Sequence, residues 1–118
     1  MISLTKAEEQ VMQYLWEMEG GFVKEIIERY SDPKPAYNTV STIVRILENK
    51  EFVKHESFGK SHKYFPVVTK EDYRSFTANK VMDGYFEGSP KKLVSYFIKE
   101  KGMDTEELDE ILKMIEKA

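Results

Sequence analysis

Apolar residues in the first half of the chain recur at the three- and four-residue spacing of helices. Ala7, Val11, Tyr14, Leu15 and Met18 form one stripe behind Thr5 and Glu8, which have capping-box spacing, so a first helix is predicted over about residues 6–18. Gly20 and Gly21 end it. A short second helix follows in FVKEIIERY, with Val23, Ile26, Ile27 and Tyr30 inward, and the turn-forming stretch from Ser31 to Pro35 leads into a third helix, YNTVSTIVRILENK, residues 37–50. The pattern then changes. FVKHES and SHKYFP mix aromatic and β-branched residues with polar ones around Gly59, which predicts a β-hairpin. Thr69 opens a fourth helix carrying Tyr73, Phe76, Val81, Met82, Tyr85 and Phe86. Ser89-Pro90 opens a fifth, which ends at Gly102, and Asp104 caps a sixth.

These elements predict a mainly α fold with a small β-hairpin wing. Residues 1–68 form a winged helix-turn-helix domain and residues 69–118 a C-terminal region of three helices. No internal repeat or low-complexity segment interrupts the chain.

The third helix has two different sides. Val40, Val44 and Leu47 share one, while Asn38, Ser41, Thr42 and Arg45 share the other. A helix always has a wet side, and solvation alone would account for a polar one. Asn, Ser and Thr, however, are poor mid-helix residues, because their side chains compete for nearby backbone groups. In a DNA major groove the same short side chains let the backbone approach and offer donors, acceptors and a methyl group to base edges, and Arg adds bidentate reach. The hairpin carries Lys54, His55, Lys60, Ser61, His62 and Lys63, all able to donate to phosphate, although Lys-rich edges also discourage strand pairing. Three helices with a polar third helix, followed directly by a basic ribbon, have the winged helix-turn-helix order and favour DNA. The rival class is a winged-helix protein-interaction module that does not touch DNA.

Composition changes this picture in three ways. The 118 residues are 41% hydrophobic and 33% charged, which suits a small globular chain and makes a partner copy a reasonable expectation. The net charge of −3 hides a local excess: residues 33–70 hold seven Lys/Arg against three Asp/Glu, between acidic flanks. Cysteine is absent, which excludes disulfides, thiolate metal sites and cysteine nucleophiles. With only His55 and His62 and no catalytic or phosphate-loop motif, no enzyme activity, metal or cofactor is expected. No apolar run approaches the roughly 18 residues of a membrane helix, so no membrane insertion and a cytoplasmic location are expected.

The segments LTKAEEQVMQYLW, NTVSTIVRILENKEFV, GKSHKYFP, KKLVSYFIKE and TEELDEIL together resemble the penicillinase and methicillin-resistance repressors (BlaI/MecI), which are related to the copper-responsive CopY repressors. The resemblance spans nearly the whole chain. It implies a bacterial transcriptional repressor that binds a palindromic double-stranded DNA operator as a homodimer. Asn38, Thr39, Ser41 and Thr42 match its base-reading stretch, with Arg45 reaching further, and Lys60 and Lys63, with Ser61 between them, match wing positions near the DNA backbone.

In the penicillinase branch DNA release is linked to proteolysis at an Asn-Phe bond in the fifth helix by a membrane sensor protease. The matching pair here is Tyr96-Phe97, for which cleavage and packing in a dimer core are both open readings. A copper-thiolate switch is excluded by the absence of cysteine. Glu51 stands where the family commonly has Gly. The apolar and aromatic residues of the tail, Tyr73, Phe76, Phe86, Leu93, Phe97, Leu108, Ile111, Leu112 and Ile115, are expected to pack a dimer, because so short a tail exposes too much of each helix alone. A ligand-sensing cavity in the tail is the alternative.

Overall fold

The computed structural model describes the backbone of residues 1–117 and the side chains of residues 1–110 and 113. Among the described residues the elements are α1 (Lys6–Met18), β1 (Gly21–Phe22), α2 (Val23–Arg29), α3 (Tyr37–Asn49), β2 (Val53–Phe58), β3 (Ser61–Pro66), α4 (Lys70–Tyr85), α5 (Pro90–Lys101) and α6 (Thr105–Lys117). The chain divides into two compact units, Met1–Phe76 and Thr77–Ala118.

The first unit is a winged helix-turn-helix. α1 starts with a reciprocal capping box: the Glu8 N–H donates to Thr5 Oγ1 at 3.2 Å and the Thr5 N–H to Glu8 Oε1 at 2.8 Å. Its apolar stripe of Val11, Met12 and Leu15 meets Ile26 of α2 and Val40, Val44 and Leu47 of α3, all fully buried. Each of these burials stabilises the fold by about 1.5–3 kcal/mol.

The end of α3 is set by a left-handed residue. Glu51 has φ +64°, and the N–H groups of Glu51 and Phe52 donate to the carbonyls of Glu48 and Leu47 at 3.0 and 2.9 Å. These are the paired bonds of a Schellman motif, and the buried side chains of Leu47 and Phe52 supply its apolar contact. Phe52 thereby becomes part of the core. Its carbonyl also accepts from the N–H groups of Val67 and Val68 at 2.8 and 3.3 Å, which closes the base of the wing.

β2 and β3 form the predicted hairpin, with Val53 opposite Pro66 and Phe58 opposite Ser61. The sheet contains one more strand than expected. Gly21–Phe22 pairs antiparallel with β3, giving the order β1-β3-β2. Two residues are too few to show a strand period, so this edge leaves no pattern in the sequence. Gly20, at φ +130°, makes the close approach feasible: a Cβ there would lie 2.6 Å from the Phe65 ring.

The first unit extends past the boundary expected at residue 68. Tyr73 of α4 is 7% exposed; its hydroxyl accepts from the Leu4 N–H at 2.8 Å and donates to Glu9 at 3.4 Å, and its ring lies 5.7 Å from Phe52. Trp16 Nε1 donates to the Val68 carbonyl at 2.9 Å, tying the same segment to α1. The start of α4 therefore completes the winged-helix core.

In the second unit, Ser89 Oγ caps α5 by accepting from the Lys92 N–H at 3.2 Å, and Gly102 ends that helix at φ +65°. Asp104 Oδ1 caps α6 by accepting from the Glu107 N–H at 2.8 Å. No residue of α5 is buried, although it carries Leu93, Val94, Tyr96, Phe97 and Ile98.

Candidate nucleic-acid interface

The buried stripe of α3 fixes its rotation in the first unit and turns the polar side outward. Asn38, Thr39, Thr42 and Arg45 are exposed and Ser41 is half-buried. With 13 residues, α3 is about 20 Å long, enough to lie along a major groove. Its first turn holds no acidic residue, and Ala36 at the N-cap supplies no side-chain acceptor. Arg45 lies along the helix, where Nε donates to the Ser41 carbonyl at 3.3 Å and Nη2 to Thr42 Oγ1 at 3.5 Å. Both contacts are exposed and long, so the guanidinium can exchange them for a better acceptor.

Lys60 and Ser61 are exposed at the wing tip. Lys63 differs: it is half-buried, with its ammonium 5.5 Å from the Phe65 ring and 6.0 Å from the Phe22 ring. Opposite it on β2 stands Glu56. Lys63 is thus partly engaged within the sheet, whereas Lys60 stands exposed at its tip.

Two side-chain pairs that spacing did not reveal hold α3 in place. At its end, Lys50 Nζ donates to both oxygens of Glu8, at 2.9 and 2.7 Å. Glu8 is 4% exposed, and burial pushes its carboxyl up; the bonds from Lys50 and Thr5 outweigh this and leave it below the usual carboxylate range. One carboxylate therefore caps α1 and anchors α3. Nearer the wing, Glu48 Oε2 lies 2.6 Å from His55 Nδ1, joining α3 to β2. Tyr64, on β3 of the wing, has its hydroxyl held above its ordinary value by burial and by the nearby Glu48. Both pairs link residues at least seven positions apart on different elements, where no helical or strand period relates them.

The tail residues occupy two settings. Tyr73 and the half-buried Phe76 pack into the first unit, with their rings 5.9 Å apart, so Tyr73 is committed to that core rather than to an outer face. In the second unit Phe86, Leu93 and Leu108 are half-buried, and Tyr96 and Phe97 are 44% and 38% exposed. The ring of Tyr96 lies 5.6 Å from those of Phe86 and Phe97. Ile111, Leu112 and Ile115 lie outside the described side chains. Among the described residues no group of three or more potential ligands is placed to hold a metal ion, and no helix is long and apolar enough to cross a membrane.

Comparison with known proteins agrees with this arrangement. The family model described as penicillinase repressor matches residues 4–117. The methicillin resistance regulatory protein MecI of Staphylococcus epidermidis is 23% identical over 115 residues, covering 97% of this chain and 94% of that protein. A penicillinase repressor of Bacillus licheniformis is 22% identical over 114 residues, covering 96% and 89%, and one of Staphylococcus aureus is 23% identical over 111 residues, covering 93% and 88%. With a family match over nearly its full length and an exposed polar helix on a winged-helix core, the chain belongs to the penicillinase repressor family, whose members are regulators rather than enzymes.

Proposed function

We propose that this protein is a cytoplasmic transcriptional repressor that binds a palindromic operator as a homodimer. The observation that carries the reading is the outward polar face of α3, held by a buried apolar stripe beside a basic wing tip. Asn38, Thr39, Ser41 and Thr42 read base edges, and Arg45 reaches a guanine or a phosphate. Lys60, Ser61 and Lys63 contact the backbone, Lys60 with the greatest freedom.

The second unit supplies the dimer contacts. Phe86, Leu93, Phe97 and Leu108 leave apolar surface that a second copy would cover, and in such a dimer two α3 helices would read successive major grooves. Release follows from scission of the Tyr96-Phe97 bond by a membrane sensor protease. That bond lies inside α5, so cutting requires local unwinding and destroys the dimer surface as it occurs.

Selection of bound duplexes from a random-sequence library tests the reading. The expected product is an inverted repeat, bound by two chains and released by added salt. Recovery of no duplex above background would instead favour a protein-docking role for the winged helix.

A further inference from the structure

The fold gathers three titratable side chains between the recognition helix and the wing: Glu48 of α3, His55 of β2 and His62 of β3. His55 Nδ1 faces Glu48 Oε2 at 2.6 Å; a carboxylate only accepts, so this nitrogen carries a hydrogen. His62 Nδ1 pairs with Ser57 Oγ at 3.2 Å. The two imidazoles stand edge to face, with centroids 4.4 Å apart, and His55 lies 5.7 Å from the Tyr64 ring. Burial, Glu48 and Tyr37 hold the Tyr64 hydroxyl above its ordinary value while Arg45 opposes them, and His62 lines a cleft with Lys24 and Glu25 of α2 and with Tyr37.

The charges around the pair are unequal. Glu48 compensates a proton on His55, but the partner of His62 is a neutral hydroxyl, and a second imidazolium would stand against the first at 4.4 Å. His62 is exposed on the same strand as Lys60's neighbour Ser61, where a phosphate would arrive. An anion there supplies a countercharge next to His62, whose own hydrogen-bond partner carries none and whose cleft holds the opposed charges of Lys24 and Glu25. We propose that DNA binding takes up a proton at the wing histidine pair, so that affinity for the duplex rises as pH falls. This rests on the reading of α3 and the wing as the DNA-contacting surface.

Histidine changes charge between about pH 5 and 8, and full uptake of one proton changes affinity up to about tenfold per pH unit. The test is anisotropy titration of the full chain against one selected duplex at fixed ionic strength, from pH 8 to pH 6. The wild type is expected to tighten severalfold or more, while His62→Gln, at an exposed position, shows a flat profile. Calorimetry in two buffers of different ionisation enthalpy should show net proton uptake on binding. A flat wild-type profile, a retained slope in His62→Gln, or no buffer dependence would overturn the inference while leaving DNA binding intact. Absence of salt-sensitive binding at every pH would remove the functional reading itself.

Discussion

In Met1–Phe76 one set of large apolar side chains forms a closed core, with Leu15, Ile26 and Leu47 fully buried and Phe52 2% exposed, while others such as Tyr37, Phe58 and Val67 stay exposed at its surface. Among the described side chains of Thr77–Ala118 none is buried: Tyr85 is 82% exposed, and Val94, Tyr96, Phe97 and Ile98 lie between 37% and 44%. The first unit closes a core within one chain. The second has capped helices, α5 and α6, and the apolar side of α5 remains open. Helix signals and core formation are therefore separate properties, and an element can have the first while depending on a partner for the second.

Core truncation should separate the units most strongly. Phe52→Ala is expected to destabilise the first unit by about 3–5 kcal/mol, read by denaturant unfolding through Trp16, the single tryptophan. Phe97→Ala should barely move that transition and should instead weaken self-association in sedimentation. An equal loss of Trp16-detected stability in both variants would break the contrast.

Gly20→Ala probes the contact between the end of α1 and β3. A methyl group at φ +130° and 2.6 Å from the Phe65 ring should cost about 2–3 kcal/mol in the same assay. Full stability would show that the β1 edge gives way easily.

The Glu8–Lys50 pair sharpens the account of how α3 is held. Lys50→Met should destabilise by about 1–3 kcal/mol by leaving a buried carboxylate without its cation. The folded-state value of Glu8 is depressed from 4.5, so its contribution is present above that pH and is lost as pH falls through the lower folded value. In Lys50→Met burial dominates, and acidification should narrow the gap between variant and wild type. Parallel unfolding curves from pH 7 to pH 3 check the sign.

The smallest effect is a gain. Glu51 holds φ +64°, which costs a side-chain residue energy that glycine does not incur, so Glu51→Gly should stabilise by up to about 1 kcal/mol. A loss would mean that the Glu51 side chain contributes more than its backbone strain costs.

Much of the fold is legible because it rests on local periods. Val40, Val44 and Leu47 announce the buried side of α3, and Thr5 with Glu8, Ser89 and Asp104 announce helix starts. What escaped rests on contacts between distant residues. β1 is two residues long, Tyr73 looks like any apolar residue of a tail helix, and Glu8 reads only as a capping-box residue until Lys50 is found 42 positions away. The polar face of α3 was legible for the same local reason as its buried face. The Glu48–His55–His62 cluster was not, because its members meet only once the wing folds over the end of α3.

The most direct measurement is a pair of titrations of Thr42→Ala and Lys60→Ala, each on the selected inverted repeat and on a scrambled duplex over a range of salt. Thr42→Ala should lose about 1–3 kcal/mol on the repeat and little on the scrambled duplex. Lys60→Ala should weaken both alike and reduce the salt slope by about one. Equal losses for Thr42→Ala on the two duplexes would contradict the assignment of α3 as the helix that reads sequence.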